Sequence, residues 1–298
     1  PATLALLPAP AAIMDASFQA DSDLTGVPTA ILPLPDGQVL IANGRPGELV
    51  RLRADGTLDS TWPRTIFAAA NGAPAVTSLV LQADGRVLAA GTISAVNGQP
   101  RANLARFSAE GILDPAFIPE SDATASRVLS VAVQADGRIL LATAATVPVR
   151  LLPDGRRDAE FQPRAIPQAA PTPNQLRDWL VESVAAAPDG GVYQVATVNL
   201  SITSAQLGGV RSSILQRLDA RGAVVESFPR HVWPGALRGL RVLDDGSILV
   251  VEYSTQGGLP FPISARAVRL LPDGSPYPGY RAPAIDPPLV AALLADGG

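Results

Sequence analysis

The chain has 298 residues, a formal net charge of −4, one His and no Cys. Mild acidity without a basic block argues against a nucleic-acid partner, and the lack of Cys excludes disulfides, thiolate metal sites and a cysteine nucleophile. Hydrophobic residues make up 47% but aromatics only 5%, so the core must be built from Ala, Val, Leu and Ile. The 26 Gly and 29 Pro suit short strands joined by tight turns.

Residues 1–14, PATLALLPAPAAIM, have the apolar look of a signal peptide. They carry three prolines and no basic lead, and are not read as one. The chain opens on Pro1 rather than Met, so it is expected to be processed or excised from something longer. Its longest apolar runs are short or broken by Pro, and no membrane insertion is expected.

From there one unit recurs. An apolar run (VPTAILPL, AVTSLVLQ, RVLSVAVQ, LVESVAAA, LRGLRVL) leads to an Asp-Gly at Asp36, Asp84, Asp136, Asp189 and Asp245, and again at Asp296, a period of about 50 residues. A second apolar run follows, then a loop of variable length. A third run carries Arg51, Arg106, Arg150, Arg217 or Arg269. A second turn comes at Gly56, Gly111, Gly155, Gly222 or Gly274, and the unit closes on Trp62, Phe117, Phe161, Phe228 or Tyr280. Asp-Gly between apolar runs is a hairpin signal, because Gly accepts positive φ and Asp tolerates it.

The expected fold is therefore all-β, a β-propeller of four-stranded antiparallel blades, since radial stacking buries both faces of each small sheet. A single domain over 1–298 is expected. Its full blades fall near residues 24–62, 75–117, 127–161, 179–228 and 236–280. The pieces 3–18 and 288–298 match the end and the start of a unit. They make a split or truncated sixth blade, or mark a piece cut from a longer array.

The stretch from Leu81 to Phe117, LQADGRVLAAGTISAVNGQPRANLARFSAEGILDPAF, resembles the delta-60 repeat, a bacterial β-propeller family of the DUF5122 kind. The likeness rests on Asp84-Gly85, Gly91, Asn97-Gly98, Arg101, Arg106 and the ending Asp114 to Phe117. Units one and three keep the Asp before the closing aromatic (Asp59, Asp158), whereas AVVESF and SPYPGY have lost it. The resemblance implies a propeller within large secreted or surface bacterial proteins. It supplies no catalytic residues.

Function is expected where the units differ. Both Asp-Gly-type turns of a blade lie on one face of the ring. The loops between second and third strands and the links between blades lie on the other. The variable segments are Thr92–Asn103, Arg164–Asp178, Asn199–Arg211, Arg230–Gly235 and Ser254–Arg266. The candidate binding residues are His231 and Trp233, Trp179, and Arg101 with Asn103. An ordinary loop competes with the ligand reading at His231, which has no second His or Cys beside it. The tryptophans could stack on sugars or plug the ring. The repeating Asp, Arg and aromatic residues read as structure.

No nucleophile elbow, zinc-protease motif or phosphate loop is present. The expectation is a non-enzymatic interaction module that binds a protein or glycan through its loop-rich face, without cofactor. The alternatives are a structural spacer and a metal-dependent hydrolase or lactonase. The latter would hold Ca²⁺ or a similar ion in the channel through Glu182, Asn199 and Glu252, and it requires acidic side chains to converge on the axis.

Overall fold

The computed structural model describes residues 28–43, 47–124, 126–143, 145–166, 175–202, 210–233, 235–254, 264–281 and 284–285. The end pieces 3–18 and 288–298 lie outside them. The described residues are all-β, with no helix and only antiparallel pairing.

Five sheets follow one another around an axis. Blade 1 holds β1 (Pro28–Pro33), β2 (Val39–Asn43), β3 (Glu48–Leu52) and β4 (Thr65–Ala68). Blade 2 runs from β5 (Ala75–Leu81) to β6 (Val87–Thr92), makes a small hairpin of β7 (Ala95–Val96) and β8 (Gln99–Pro100), and returns as β9 (Leu104–Phe107). Blade 3 has β10 (Val128–Val133), β11 (Ile139–Thr143) and β12 (Val149–Leu151). Blade 4 has β13 (Gln175–Ala186), β14 (Val192–Ile202), β15 (Val210–Leu218) and β16 (His231–Trp233). Blade 5 has β17 (Ala236–Val242), β18 (Ile248–Ser254), β19 (Ser264–Leu270) and β20 (Ala284–Ile285).

The fourth strand is interrupted. A single bridge follows the second turn in every blade, as in Leu52↔Leu58 and Leu218↔Val224. Blades 1, 4 and 5 then add a short outer strand. In blades 2 and 3 the chain leaves for the next sheet directly after the closing aromatic: Glu120 donates to the Gly155 carbonyl and Gln162 to that of Arg221. The outer strand β4 does not end its sheet. It pairs with β7, so the Thr92–Asn103 insertion of blade 2 is clipped onto the rim of blade 1.

Period-2 alternation explains why these runs are apolar throughout. In β6, Val87 and Ala89 pack toward blade 1, while Leu88 and Ala90 pack toward blade 3. In β11, Ile139 and Leu141 face blade 2, and Leu140 and Ala142 face blade 4. The core is thus a set of seams between sheets, filled by small aliphatic side chains as the composition demands. With both faces buried, truncating Leu88 to Ala costs about 2–5 kcal/mol.

The first strands of blades 1 to 4 shift register at the same point, between Pro28 and Ala30, Val76 and Ser78, Val128 and Ser130, and Val181 and Ser183, and that of blade 5 shifts close by, between Arg238 and Arg241. A bulge there strengthens the twist of the innermost strand. It also frees the Ser78 hydroxyl to accept from the Val131 N–H at 3.1 Å and that of Ser130 to accept from Val184 at 3.4 Å. Neighbouring sheets are stitched near the axis in this way.

Candidate functional site

The rim of each seam is held by the recurring arginine. In blade 1, Arg51 donates from Nε and Nη2 to Asp59 Oδ2 at 2.9 and 2.7 Å and lies over the Trp62 ring. Arg106 holds Asp114 and covers Phe117, and Arg150 holds Asp158 and covers Phe161. Two of them also reach forward. Arg106 Nη1 donates to the Pro153 carbonyl in blade 3 at 2.7 Å, and Arg150 Nη1 to Ala220 in blade 4 at 2.8 Å. The closing aromatics press on the second turn of the next blade, where a Cβ at Gly111 would meet Trp62 Cε2 at 2.6 Å and one at Gly274 would meet Phe228 Cε2 at 2.9 Å.

These carboxylates are held ionised. The Thr61 hydroxyl first, then, against burial, the Thr61 N–H and Arg51 bring Asp59 down to about 2. Burial pushes Asp114 and Asp158 up. Hydrogen bonds and the facing arginines outweigh it, and the net direction is down.

In blades 4 and 5 the aspartate is replaced by Val225 and Tyr277. Arg217 turns to Asp189 and Arg269 to Asp245, the aspartates of the first turn. Arg217 lies over Tyr193 and Arg269 over Tyr277. Tyr193 is fully buried, and its hydroxyl donates to the Pro272 carbonyl at 2.9 Å. Pro272 occupies the position of Pro153 and Ala220, so the tyrosine makes the forward bond that an arginine makes elsewhere. Burial pushes its phenol up, with Arg217 opposing. Sequence reading missed this residue. The available signal was its register: Leu40, Leu88, Leu140 and Leu249 stand at the equivalent place.

The candidate binding residues fall at four places. His231 is in strand β16, not a loop. Its Nε2 lies 2.7 Å from the Gly274 carbonyl, and its ring packs between Phe228 and Trp233. Arg101 is buried and donates to the Pro100 and Asp114 carbonyls at 2.7 and 3.1 Å. Asn103 sits at φ 60°. Its Oδ1 accepts from Ile93 N–H, and its Nδ2 donates to the Thr124 and Ser126 carbonyls. The fourth place is the tall part of blade 4, where Trp179 pairs with Val198 and Asn199 with Asp178 and Arg211. The Trp179 and Asn199 side chains lie outside the described residues.

That part of blade 4 is the largest departure from the repeat. β13 and β14 have 12 and 11 residues, whereas the second strands of the other blades have 5 to 7. The extra residues lie on the loop-rich face and raise a three-stranded wall roughly 15 Å above the neighbouring blades at ~3.3 Å per residue.

Along the axis, the five first strands line a cavity of about 1160 Å³. Glu182 lines it, at the bulge of blade 4. Glu252 is buried in β18 and paired with Arg266. Among the described residues, no three His, Asp or Glu side chains come together in a metal-binding group.

Residues 82–117 match a family described as a domain of unknown function (DUF5122) beta-propeller. Blade 2 is similar to that family over these residues. Among curated proteins nothing matches the chain. Among solved structures, a catalytically inactive virginiamycin B lyase from Staphylococcus aureus, crystallised with quinupristin, superposes with a TM-score of 0.50 at 15% identity, over 91% of this chain and 74% of that one. A Bacteroides caccae protein of unknown function gives 0.48 at 12%, over 84% and 79%. A glucose dehydrogenase-type oxidoreductase from Thermus gives 0.42 at 19%, over 82% and 96%. At these identities the first likeness speaks to fold alone, and the other two are too loose to bear on anything further. Among the described residues, no helix is long and apolar enough to cross a membrane.

Proposed function

We propose that the chain is a non-enzymatic interaction module of a secreted or surface bacterial protein, and that it binds a protein or glycan through its loop-rich face. The observation that carries this is the difference between the two faces. On one, the first turns repeat the same bond, in which an Asp carboxylate accepts from the N–H two residues on, at Asp36, Asp84, Asp136, Asp189 and Asp245. On the other, among the described residues, blade 4 alone raises a wall, and a rigid ring carrying such a variable edge suits recognition. The same proposal takes the ring as five complete repeats with a split or truncated sixth, working without a cofactor and without nucleic acid.

A panel of sugars read by thermal unfolding tests it, together with cross-linking on the parent cell surface. A ligand at a hundred times its Kd raises stability by about 2.7 kcal/mol. The reading expects one glycan or one surface protein to respond, and Trp179→Ala to abolish that response with the unliganded midpoint unchanged. Silence from both assays leaves a spacer. A large midpoint difference between Ca²⁺ and EDTA would replace the reading with a metal-dependent hydrolase.

A further inference from the structure

Asn-Gly occurs in the sequence at Asn43, Asn71 and Asn97, and the fold treats the three pairs differently. The side-chain amide of Asn can be attacked by the backbone nitrogen of the next residue, and Gly, lacking a Cβ, leaves that nitrogen unhindered. The attack needs a segment free to bring the two atoms together.

Two of the asparagines are held. Asn97-Gly98 is the two-residue loop between β7 and β8, with φ of 46° and 78°, as a type I′ hairpin turn requires. The Asn97 N–H donates to the Ile66 carbonyl, and its Oδ1 accepts from the Ile66 N–H, both at 2.8 Å. Turning this amide toward Gly98 would break the clip to blade 1. Asn43 is buried in β2 and paired with Glu48 of β3.

Asn71-Gly72 stands in the link from β4 to β5. The link is tied at both ends. The Ala68 carbonyl accepts from the Ser94 N–H at 2.7 Å, and Pro74 presses on Gly47, where a Cβ would find no room. Between these anchors Asn71, Gly72 and Ala73 are exposed. Neither the Asn71 amide nor the Gly72 N–H has a hydrogen-bond partner among the described residues, and a Cβ at Gly72 would meet nothing within 4 Å.

We infer that Asn71 is a site of spontaneous covalent modification, at which the folded chain deamidates ahead of Asn43 and Asn97. The Gly72 nitrogen bonds to Cγ of Asn71 and closes a five-membered imide. The Cγ–Nδ2 bond breaks, and ammonia leaves with the proton from the Gly72 amide. Water then opens the imide at either carbonyl, giving aspartate or isoaspartate. The sum consumes one water and releases one ammonia, both exchanged with solvent, and nothing is oxidised or reduced. The product adds a negative charge to a chain of −4, in a link between blades. Isoaspartate also lengthens the main chain by one methylene between the two anchors, so the blades on either side need not move. The sugar and cross-linking results do not bear on this site.

The test is peptide mapping by mass spectrometry of the full folded chain, held in mildly alkaline buffer, with a parallel sample in concentrated urea. In the folded chain the peptide holding Asn71 should gain one mass unit and split into aspartate and isoaspartate forms. The peptides holding Asn97 and Asn43 should react about tenfold more slowly or less, because a hydrogen bond must first open. In urea the three should converge, which shows that the fold and not the flanking sequence protects two of them. Asn71→Gln, an exposed substitution that keeps the amide, should remove most of the ammonia released by the folded chain and leave the unfolding midpoint unchanged. Asn43 or Asn97 reacting as fast as Asn71 in the folded chain would overturn the inference. So would an Asn71 that reacts in urea and not in the folded chain.

Discussion

Blades 1 to 3 and blades 4 and 5 hold the same arginine by different carboxylates. In the first group the acid is three residues beyond the second-turn Gly, and Arg Nε, that acid and the closing aromatic form one packed unit. In the second group that acid is gone and the arginine swings to the first turn. Arg269 Nε finds the Ser247 hydroxyl at 2.9 Å, but Arg217 Nε is left buried without a partner among the described residues. The cation is thus the fixed element of the repeat and its anion the exchangeable one. A guanidinium offers five donors in a plane and can keep a stacked ring while changing acceptors.

The largest effect should come from the aromatic on which this arrangement rests. Phe117 is fully buried between blades 2 and 3, and Phe117→Ala should cost about 3–5 kcal/mol. The half-exposed Tyr280→Ala in blade 5 should cost clearly less, and urea unfolding of the pair measures the difference. Next come the turns. Gly222 has φ 91°, and a Cβ there would meet backbone N of Pro163 at 2.7 Å, whereas at Gly85 (φ 81°) it would meet only Ala109 Cβ at 3.6 Å. Gly85→Ala should cost about 1–2 kcal/mol from backbone conformation alone, and Gly222→Ala more, as read from their midpoints. Equal values would mean that the second turns are not packing points.

The carboxylates themselves can be exchanged. Asp114→Asn removes a charged acceptor and should destabilise by about 1.5–3 kcal/mol. Val225→Asp supplies the acceptor that Arg217 Nε lacks, and should leave stability unchanged or raise it by up to about 1 kcal/mol. A loss there would show that blade 4 has repacked beyond return. Acid sharpens the same contrast. The folded pKa of Asp59 lies below its unfolded value of about 3.9, so its contribution is complete above that value and fades as pH falls from about 4 toward 2. On the order of 1 kcal/mol is expected after solvent screening. An Asp59→Asn variant should lack that part of the acid slope. Tyr193→Phe removes one hydrogen bond and should cost about 1 kcal/mol.

Much of the architecture was legible because it repeats. The Asp-Gly turns, the apolar runs with both faces buried, the arginine and the closing aromatic each recur at one spacing, and one physical reason accounts for every copy. What was hidden depends on neighbours rather than on the unit. The Thr92–Asn103 insertion reads as a free loop, yet Asn97 Oδ1 accepts from Ile66 N–H in the preceding blade at 2.8 Å. Its positive φ of 46° belongs to that clip. Asn103 and Arg101 looked available for a ligand because polar loop residues have no period to betray their partners. The length of blade 4 was concealed for a similar reason. Pairing as far as Gln175↔Ile202 needs three segments to agree, and no single one announces it.

The direction of the forward bonds has a consequence for biosynthesis. Arg106 needs Pro153, Arg150 needs Ala220 and Tyr193 needs Pro272, acceptors that follow 47, 70 and 79 residues later. A ribosome adding about 5–20 residues per second delivers them roughly 2–16 s after the donor. Blades 2, 3 and 4 therefore wait, their rims unfinished, for the turn of the successor to emerge. Slow codons placed within one blade would lengthen the exposure of the blade before it.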